Sequence, residues 1–247
     1  MRRFKADLHT HTVLSPCGDL EMSPGNIADK AIEKGLDIIG ITDHNSTLQC
    51  ATVKNIAEKK GLFVLCGTEV TTKEEVHCLA FFEAPVQLSD FNNFIYAHLA
   101  DVKNDPEKFG FQALVDENEM IISQPEKLLI SATDLPIEEL EKKVHEMDGL
   151  FIAAHVDRIS NGIIGQLGFI PPDLNFDALE LSKFTAFQDF IHDYPAQKNA
   201  TFIQSSDAHF INDIGAVYTQ FYIEEPSFQE ITQALKNQDG RKTELKL

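Results

Sequence analysis

The sequence predicts an α/β fold whose strands close into a distorted barrel. Short apolar runs rich in β-branched residues alternate repeatedly with helical patterns, which suits a barrel better than an open sheet. Successive strands end in His, Asp or Glu, and a barrel gathers such ends on one rim. No Gly-x-Gly-x-x-Gly follows the first strand, so a dinucleotide fold would lack its phosphate loop.

"RRFKADLH" (2–9) reads as the first strand. "SPGNIADKAIEKG" (23–35) reads as a helix with Ser23 as N-cap, Pro24 at the first helical position and Gly35 at the end. "LDIIGITDHN" (36–45) is a buried strand, and "TLQCATVKNIAEKKG" (47–61) a helix stopping at Gly61. "LFVLCGTEV" and "EVHCLAFFE" are two more strands. Residues 84–148 are less regular. They hold a helix at "VQLSDFNNFIYAHLADV", capped by Ser89 or Asp90, a hairpin turning at "DENE" and a helix at "LPIEELEKKVHEMDG". Strand "LFIAAHVD", a loop or helix over 161–170, strand "ALELS", helix "KFTAFQDFIHD", strands "ATFIQSSDAH" and "AVYTQFYI", and helix "PSFQEITQALKNQ" complete the chain. This alternation implies a parallel sheet with helices outside it.

The formal charge of −18 argues against a general nucleic-acid binder, which needs a basic footprint. It leaves a metalloenzyme open, because bound cations make a site locally positive. No apolar run reaches the length of a membrane span. "MRRFKADLH" lacks the apolar region of a signal peptide, so a cytoplasmic location is expected. The cysteines (Cys17, Cys50, Cys66, Cys78) form no Cys-x-x-Cys pair and are expected as reduced thiols.

The strand ends read "DLHTH", "TDHN", "GTEV", "VHC", "AAHVDR" and "SSDAH". His9 and His11 share one side of a strand, because side chains alternate with a period of two. Asp207 and His209 repeat that spacing. His44, His77 and His155 also lie at strand ends, while His98, His145 and His192 fall among polar residues of helices and are expected at the surface. Burying so many ionisable groups together without a cation is costly. Nitrogen and carboxylate donors without thiolate suit zinc, manganese or iron. Arg158, the lone arginine between residues 4 and 240, suggests bidentate phosphate recognition. The alternative is a structural ion pair with a nearby carboxylate such as Asp157.

Taken in order, "ADLHTH", "GITDHN", "GTEV…VHC", "AHVDR" and "SSDAH" resemble the motifs of the PHP (polymerase and histidinol phosphatase) family, and the stretch from "FQALVDENE" to "AAHVDR" resembles its stand-alone phosphoesterases. The resemblance implies a distorted (β/α)7 barrel, a single domain over 1–247, and three divalent metal ions (manganese, iron or zinc) at the C-terminal strand ends. It implies one metal held by His9, His11, Glu69 and Asp207, and a second held by Glu69, His77 and His155. A third would take Asp19, His44 and His209. Asp19 stands five residues before Pro24, the spacing the family often shows, after a three-residue insertion "PCG", with Glu21 as the fallback. Asp7 and Asp43 are expected behind the ligands, orienting histidines.

The implied activity is hydrolysis of a small phosphorylated metabolite or nucleotide by a metal-activated hydroxide at a trinuclear site. Arg158 would bind substrate and neutralise charge, Asp207 would orient the nucleophile, and His209 or His44 would protonate the leaving group. Residues 84–148 are expected to form a lid or substrate-selecting insertion. An exonuclease or phosphodiesterase acting on short oligonucleotides is the alternative, followed by a non-catalytic metal-binding regulatory module. No membrane partner is implied, and no stretch of the sequence argues for an oligomer.

Overall fold

The computed structural model describes residues 1–245, so the last two positions of the expected domain lie outside the described residues. β1 (Arg2–Asp7), β2 (Ile38–Ile41) and β3 (Phe63–Thr71) run parallel, linked by α1 (Pro24–Glu33) and α2 (Cys50–Glu58). Ser23 caps α1 by accepting the Asn26 N–H, and Pro24 fills the first helical position. Where β1 meets β2, a methyl at Gly40 would overlap the Leu8 carbonyl, so the residue there must be glycine.

The chain then reverses. β4 (His77–Phe81) pairs antiparallel with β3 and with β7 (Leu150–Ala153). β8 (Ala178–Leu181) and β9 (Phe202–Gln204) continue parallel to β7, with α6 (Ile163–Leu167) and α7 (Phe187–Asp193) in the connections. β10 (Thr219–Ile223) lies antiparallel to β1, and β11 (Lys242–Leu245) antiparallel to β10. The sheet order is β11-β10-β1-β2-β3-β4-β7-β8-β9. Its edges meet where Thr243 Oγ1–H donates to the Phe202 carbonyl at 3.0 Å, leaving a nearly closed, distorted barrel. The barrel is therefore as expected, but its sheet is mixed rather than parallel. A turn from Thr72 to Val76, closed by the Thr72 N–H to the Val76 carbonyl, makes β3–β4 a hairpin.

Period-two alternation divides the core. Ile38, Leu65, Leu79, Ile152 and Ile203 fill the barrel with Ile231, Ala234 and Leu235 of α8 (Phe228–Leu235). Ile39, Ile41 and Val64 face α1 and α2. Each buried Leu, Ile or Val side chain among these stabilises the fold by about 1.5–3 kcal/mol. α8 packs on Phe4, Phe221 and Ile223, at the start of β1 and thus the end opposite the histidines.

Residues 84–148 hold α3 (Pro85–His98), α4 (Pro106–Phe109), the expected hairpin of β5 (Leu114–Val115) and β6 (Ile121–Ser123), and α5 (Ile137–Glu146). α3 starts earlier than expected, at Ala84 rather than Ser89 or Asp90. Pro85 suits the first turn, and the Gln87 side chain accepts the Ala84 N–H at 2.8 Å. Buried amides staple this segment to the barrel. Gln49 accepts the Val115 N–H and donates to the Val115 carbonyl, and Asn45 donates to the carbonyls of Leu129 and Ser131.

His98 sits half-buried beside Asp134, and His192 is exposed. His145, expected at the surface, is also half-buried, between Glu141 at 2.7 Å and Asp177 at 3.2 Å. Its hydrogen bond to Asp177 raises its pKa above the ordinary 6.5; burial opposes this and Glu141 adds to it. Because the folded-state pKa is raised, this stabilisation is complete below pH 6.5 and is lost as pH rises through the folded value. In thermal unfolding followed by circular dichroism, His145→Gln is expected to lower Tm most at about pH 5 and least at about pH 9. An equal Tm loss at both would refute the ion-pair account.

Candidate metal centre

The site begins with two backbone segments lying side by side. Thr10 and Ala208 form a parallel bridge, with the His11 N–H donating to the Ala208 carbonyl at 3.0 Å and the Ala208 N–H to the His9 carbonyl at 3.2 Å. Their neighbours therefore face one way together: His9 with Asp207, and His11 with His209. His9 Nε2 and His11 Nε2 each lie 3.4 Å from Asp207 Oδ1, and the His11 and His209 rings stack at 4.1 Å. A second parallel bridge, His44 to Glu69, brings β2 and β3 into the cluster.

Glu69 is buried at the centre. Its Oε1 lies 2.8 Å from His77 Nδ1, 3.1 Å from His155 Nε2 and 3.2 Å from His9 Nε2. Its Oε2 lies 3.1 Å from His44 Nδ1 and 3.4 Å from His11 Nε2. His77 reaches this place from the start of β4, not from a C-terminal strand end, because β4 runs against its neighbours. His155 and Asp207 adopt φ of +28° and +50°, a left-handed backbone costing about 1–2 kcal/mol per residue. The His155 N–H is secured by Glu180 Oε2 at 3.1 Å.

Three groups bring donor atoms within 4.8 Å of one another: His9, His11 and Glu69; His44, Glu69 and His77; and His11, His44 and His209. Asp19 belongs to none of them. Its backbone N–H donates to the His209 carbonyl, but its Oδ1 accepts the Glu21 N–H at 2.8 Å. Glu21 is exposed. Arg158 does form an ion pair with a carboxylate, but with Asp207 rather than Asp157: its Nη1 donates to Asp207 Oδ2 at 2.6 Å. The Asp157 carboxylate instead accepts the Ser182 N–H and the hydroxyls of Ser182 and Thr185.

The two expected supporting aspartates behave differently. Asp43 accepts from Thr12 and from Ser15 Oγ, and Ser15 Oγ lies 3.0 Å from His11 Nδ1, so Asp43 orients His11 through Ser15. Asp7 orients no histidine ring. It accepts from Ser206 N–H, Ser206 Oγ and Gly215 N–H, holding the β9 loop, and burial pushes it up to about 6 against those bonds.

Glu180 does what Asp7 was expected to do. Buried on β8, it sets Oε2 2.9 Å from His9 Nδ1, while its Oε1 is buried without a partner. The signal in the sequence was one acidic residue inside the apolar strand "ALEL".

The electrostatics suit a cation. Burial lowers the His44 pKa well below the ordinary value, with His11 adding to it. Burial, again with His11, lowers His209 to about 4. Burial opposes ionisation of Glu69 and Asp207, but the surrounding imidazoles hold both well below the carboxylate range. Burial likewise pulls down His9 and His11. Glu180, Glu69 and Asp207 raise His9 well above its ordinary range, and Asp207 and Glu69 raise His11 to about 9. The buried Nδ1 atoms of His44 and His77 face Glu69 without hydrogen-bond geometry. Converging imidazoles and ionised carboxylates fit divalent ions better than they fit one another.

A family model described as PHP domain matches residues 7–166, and one described as PHP-associated matches 193–239. The chain belongs to the PHP domain family. Metal-dependent hydrolysis of phosphoric esters is the chemistry of that family. This PHP chain is 25% identical to the uncharacterized protein YqxK of Bacillus subtilis, over 98% of its own length and 64% of that protein. The crystal structure of the lesion-specific endonuclease PfuEndoQ from Pyrococcus furiosus has a TM-score of 0.76 and 22% identity, covering 98% of this chain and 58% of that one. A two-domain protein from Bacteroides vulgatus, described as containing a predicted PHP-like metal-dependent phosphoesterase, has a TM-score of 0.59 and 18% identity, covering 99% of this chain and 65% of that one. The PHP chain thus spans less than two thirds of each of these three proteins. Among the described residues, no helix is long and apolar enough to cross a membrane.

Glu180→Gln keeps the shape of the side chain but removes the charge behind His9. Losing such a partner typically costs about 10–100-fold in metal affinity. Competition with a chelator, read as metal content per chain, is expected to show that loss, and Glu180→Asp to recover part of it. Unchanged affinity in Glu180→Gln would make Glu180 a packing residue only.

Proposed function

We propose that the chain is a metal-dependent phosphoesterase acting on nucleotide-bearing esters. The observation that supports this best is the convergence of five imidazoles on the buried Glu69 carboxylate. His9, His11, Glu69 and Asp207 would hold one divalent ion. Glu69, His77 and His155 would hold a second, and His44 and His209 a third. Asp19 would complete the third set through Oδ2, with Oδ1 accepting the Glu21 N–H. Manganese, iron or zinc would supply Lewis acidity toward water and the phosphate oxygens.

The chain's own residues bind and orient. Asp207 Oδ2 aims the Arg158 guanidinium, whose remaining donors would grip phosphate oxygens and offset developing charge. His209, at about 4, offers a lone pair at neutral pH and so suits a ligand better than a proton donor. Asp43 and Glu180 would keep His11 and His9 in one orientation. Residues 84–148 would form the substrate-selecting wall, since Asn45, next to His44, anchors them.

The endonuclease likeness over 98% of the chain favours a nucleotide-bearing ester. The charge of −18 favours the other reading, a small phosphorylated metabolite.

The test is hydrolysis of a chromogenic phosphate diester and monoester by the purified, manganese-supplemented protein. Diester turnover is expected to exceed monoester turnover. It should fall more than about 100-fold in His9→Ala, because a ligand matters more than a residue behind it. Arg158→Ala is expected to lower kcat/KM by about 100-fold. Preferential monoester turnover would support the metabolite reading. No turnover of either ester with metal bound would sink the phosphoesterase assignment.

A further inference from the structure

Four large apolar side chains stand in solvent on loops that border the histidine cluster. Ile159 is 88% exposed, Phe184 81%, Leu20 67% and Phe210 56%. Single exposed apolar residues are ordinary, but these are tied together by polar links between their loops. Asp157 and Ser182 join the loop of Ile159 to that of Phe184. Lys183 Nζ, 3.7 Å from Asp213 Oδ2, joins the loop of Phe184 to that of Phe210. The Asp19 N–H to the His209 carbonyl joins Leu20 to Phe210. Arg158, beside Ile159, reaches across to Asp207. The loops are thus fixed around Arg158, while their apolar side chains are left outside, with Lys183 Nζ 5.8 Å from the centroid of the Phe184 ring.

The net charge says what kind of contact such a rim can make. At −18 the chain repels a polyanion, so counterion release cannot supply the affinity. Beyond the phosphate itself, binding must be non-ionic. A phenylalanine ring offers a flat π-face and no polar tip. Base–aromatic stacking is sequence-tolerant and needs no local positive charge.

We propose that Phe184 and Phe210, flanked by Ile159 and Leu20, form a platform on which unpaired nucleobases stack beside the phosphate held by Arg158. The proposal rests on the nucleotide-ester reading above and gives it a recognition surface.

The test measures binding, so it does not depend on turnover. Fluorescence anisotropy of a labelled, phosphorothioate-linked single strand with the manganese-loaded full chain gives Kd. An abasic strand of equal charge, the same strand in a duplex, and a competing free nucleotide are the comparison arms. The single strand is expected to bind about tenfold more tightly than the abasic strand or the duplex, with little salt dependence. Phe184→Ala and Phe210→Ala should each weaken single-strand binding by about five- to a hundredfold and leave abasic-strand binding as it was. Phe184→Trp should retain binding, which controls for folding. Competition by the free nucleotide would identify a mononucleotide as sufficient; its failure would assign the platform to a strand.

Equal binding of the intact and abasic strands, or equal losses on both in the variants, would overturn the platform. So would concentration-dependent self-association abolished by Phe184→Ser, which would give the rim to a second copy of the chain. The chromogenic diester carries no base, so the two readings fail separately. Diester turnover without base-dependent binding removes only the platform. Base-dependent binding without turnover removes only the phosphoesterase.

Discussion

The buried carboxylate of Glu69 is the constraint on which the rest of the rim depends. It carries a charge in a place that water does not reach, and an uncompensated charge there would cost several kcal/mol. Five imidazoles supply the compensation, and they come from four different places in the chain. Each must arrive within a few ångströms of one oxygen pair. That requirement accounts for features that local propensity does not favour. His155 and Asp207 accept left-handed backbones, β4 runs against its neighbours, and the acidic Glu180 sits inside an apolar strand.

The reversal at β4 shows how topology serves that requirement. A parallel strand beside β3 would have needed a crossover helix, and its first residue would have lain at the far end of the barrel. The hairpin returns immediately, so residue 77 meets Glu69 only eight positions later in sequence. The bridge between Thr10 and Ala208 is the long-range counterpart. Two short motifs from opposite ends of the chain meet at this bridge, which sets His9 and His11 beside Asp207 and His209, with the left-handed backbone of Asp207 completing the approach.

The strand ends were legible because each apolar run stops in an ionisable residue, and a barrel brings such ends together whatever their separation in sequence. The first helix was legible for a local reason: Ser23 and Pro24 act within one turn. Strand direction was less legible, because an apolar run reads the same parallel or antiparallel. β11, "KTEL", was missed since a short polar edge strand carries no apolar signal. α4, four residues long, was missed because only its Asp105–Pro106 start is distinctive. Among the supporting residues, Asp7 and Glu180 were the hard pair. Both are buried carboxylates beside a histidine-bearing strand, and only the pairing of β7 with β8 and the course of the β9 loop decide which one faces a ring.

The same geometry explains how so acidic a chain can address an anion. The acidic excess lies largely in exposed carboxylates, where water and salt screen it. Inside the cluster the balance differs, because Glu69 and Glu180 are matched by imidazole nitrogens, and Asp207 by His9, His11 and Arg158. Divalent ions held there would add positive charge where screening is weakest. A phosphate oxygen that reaches the rim would therefore meet a cationic site enclosed in an anionic surface.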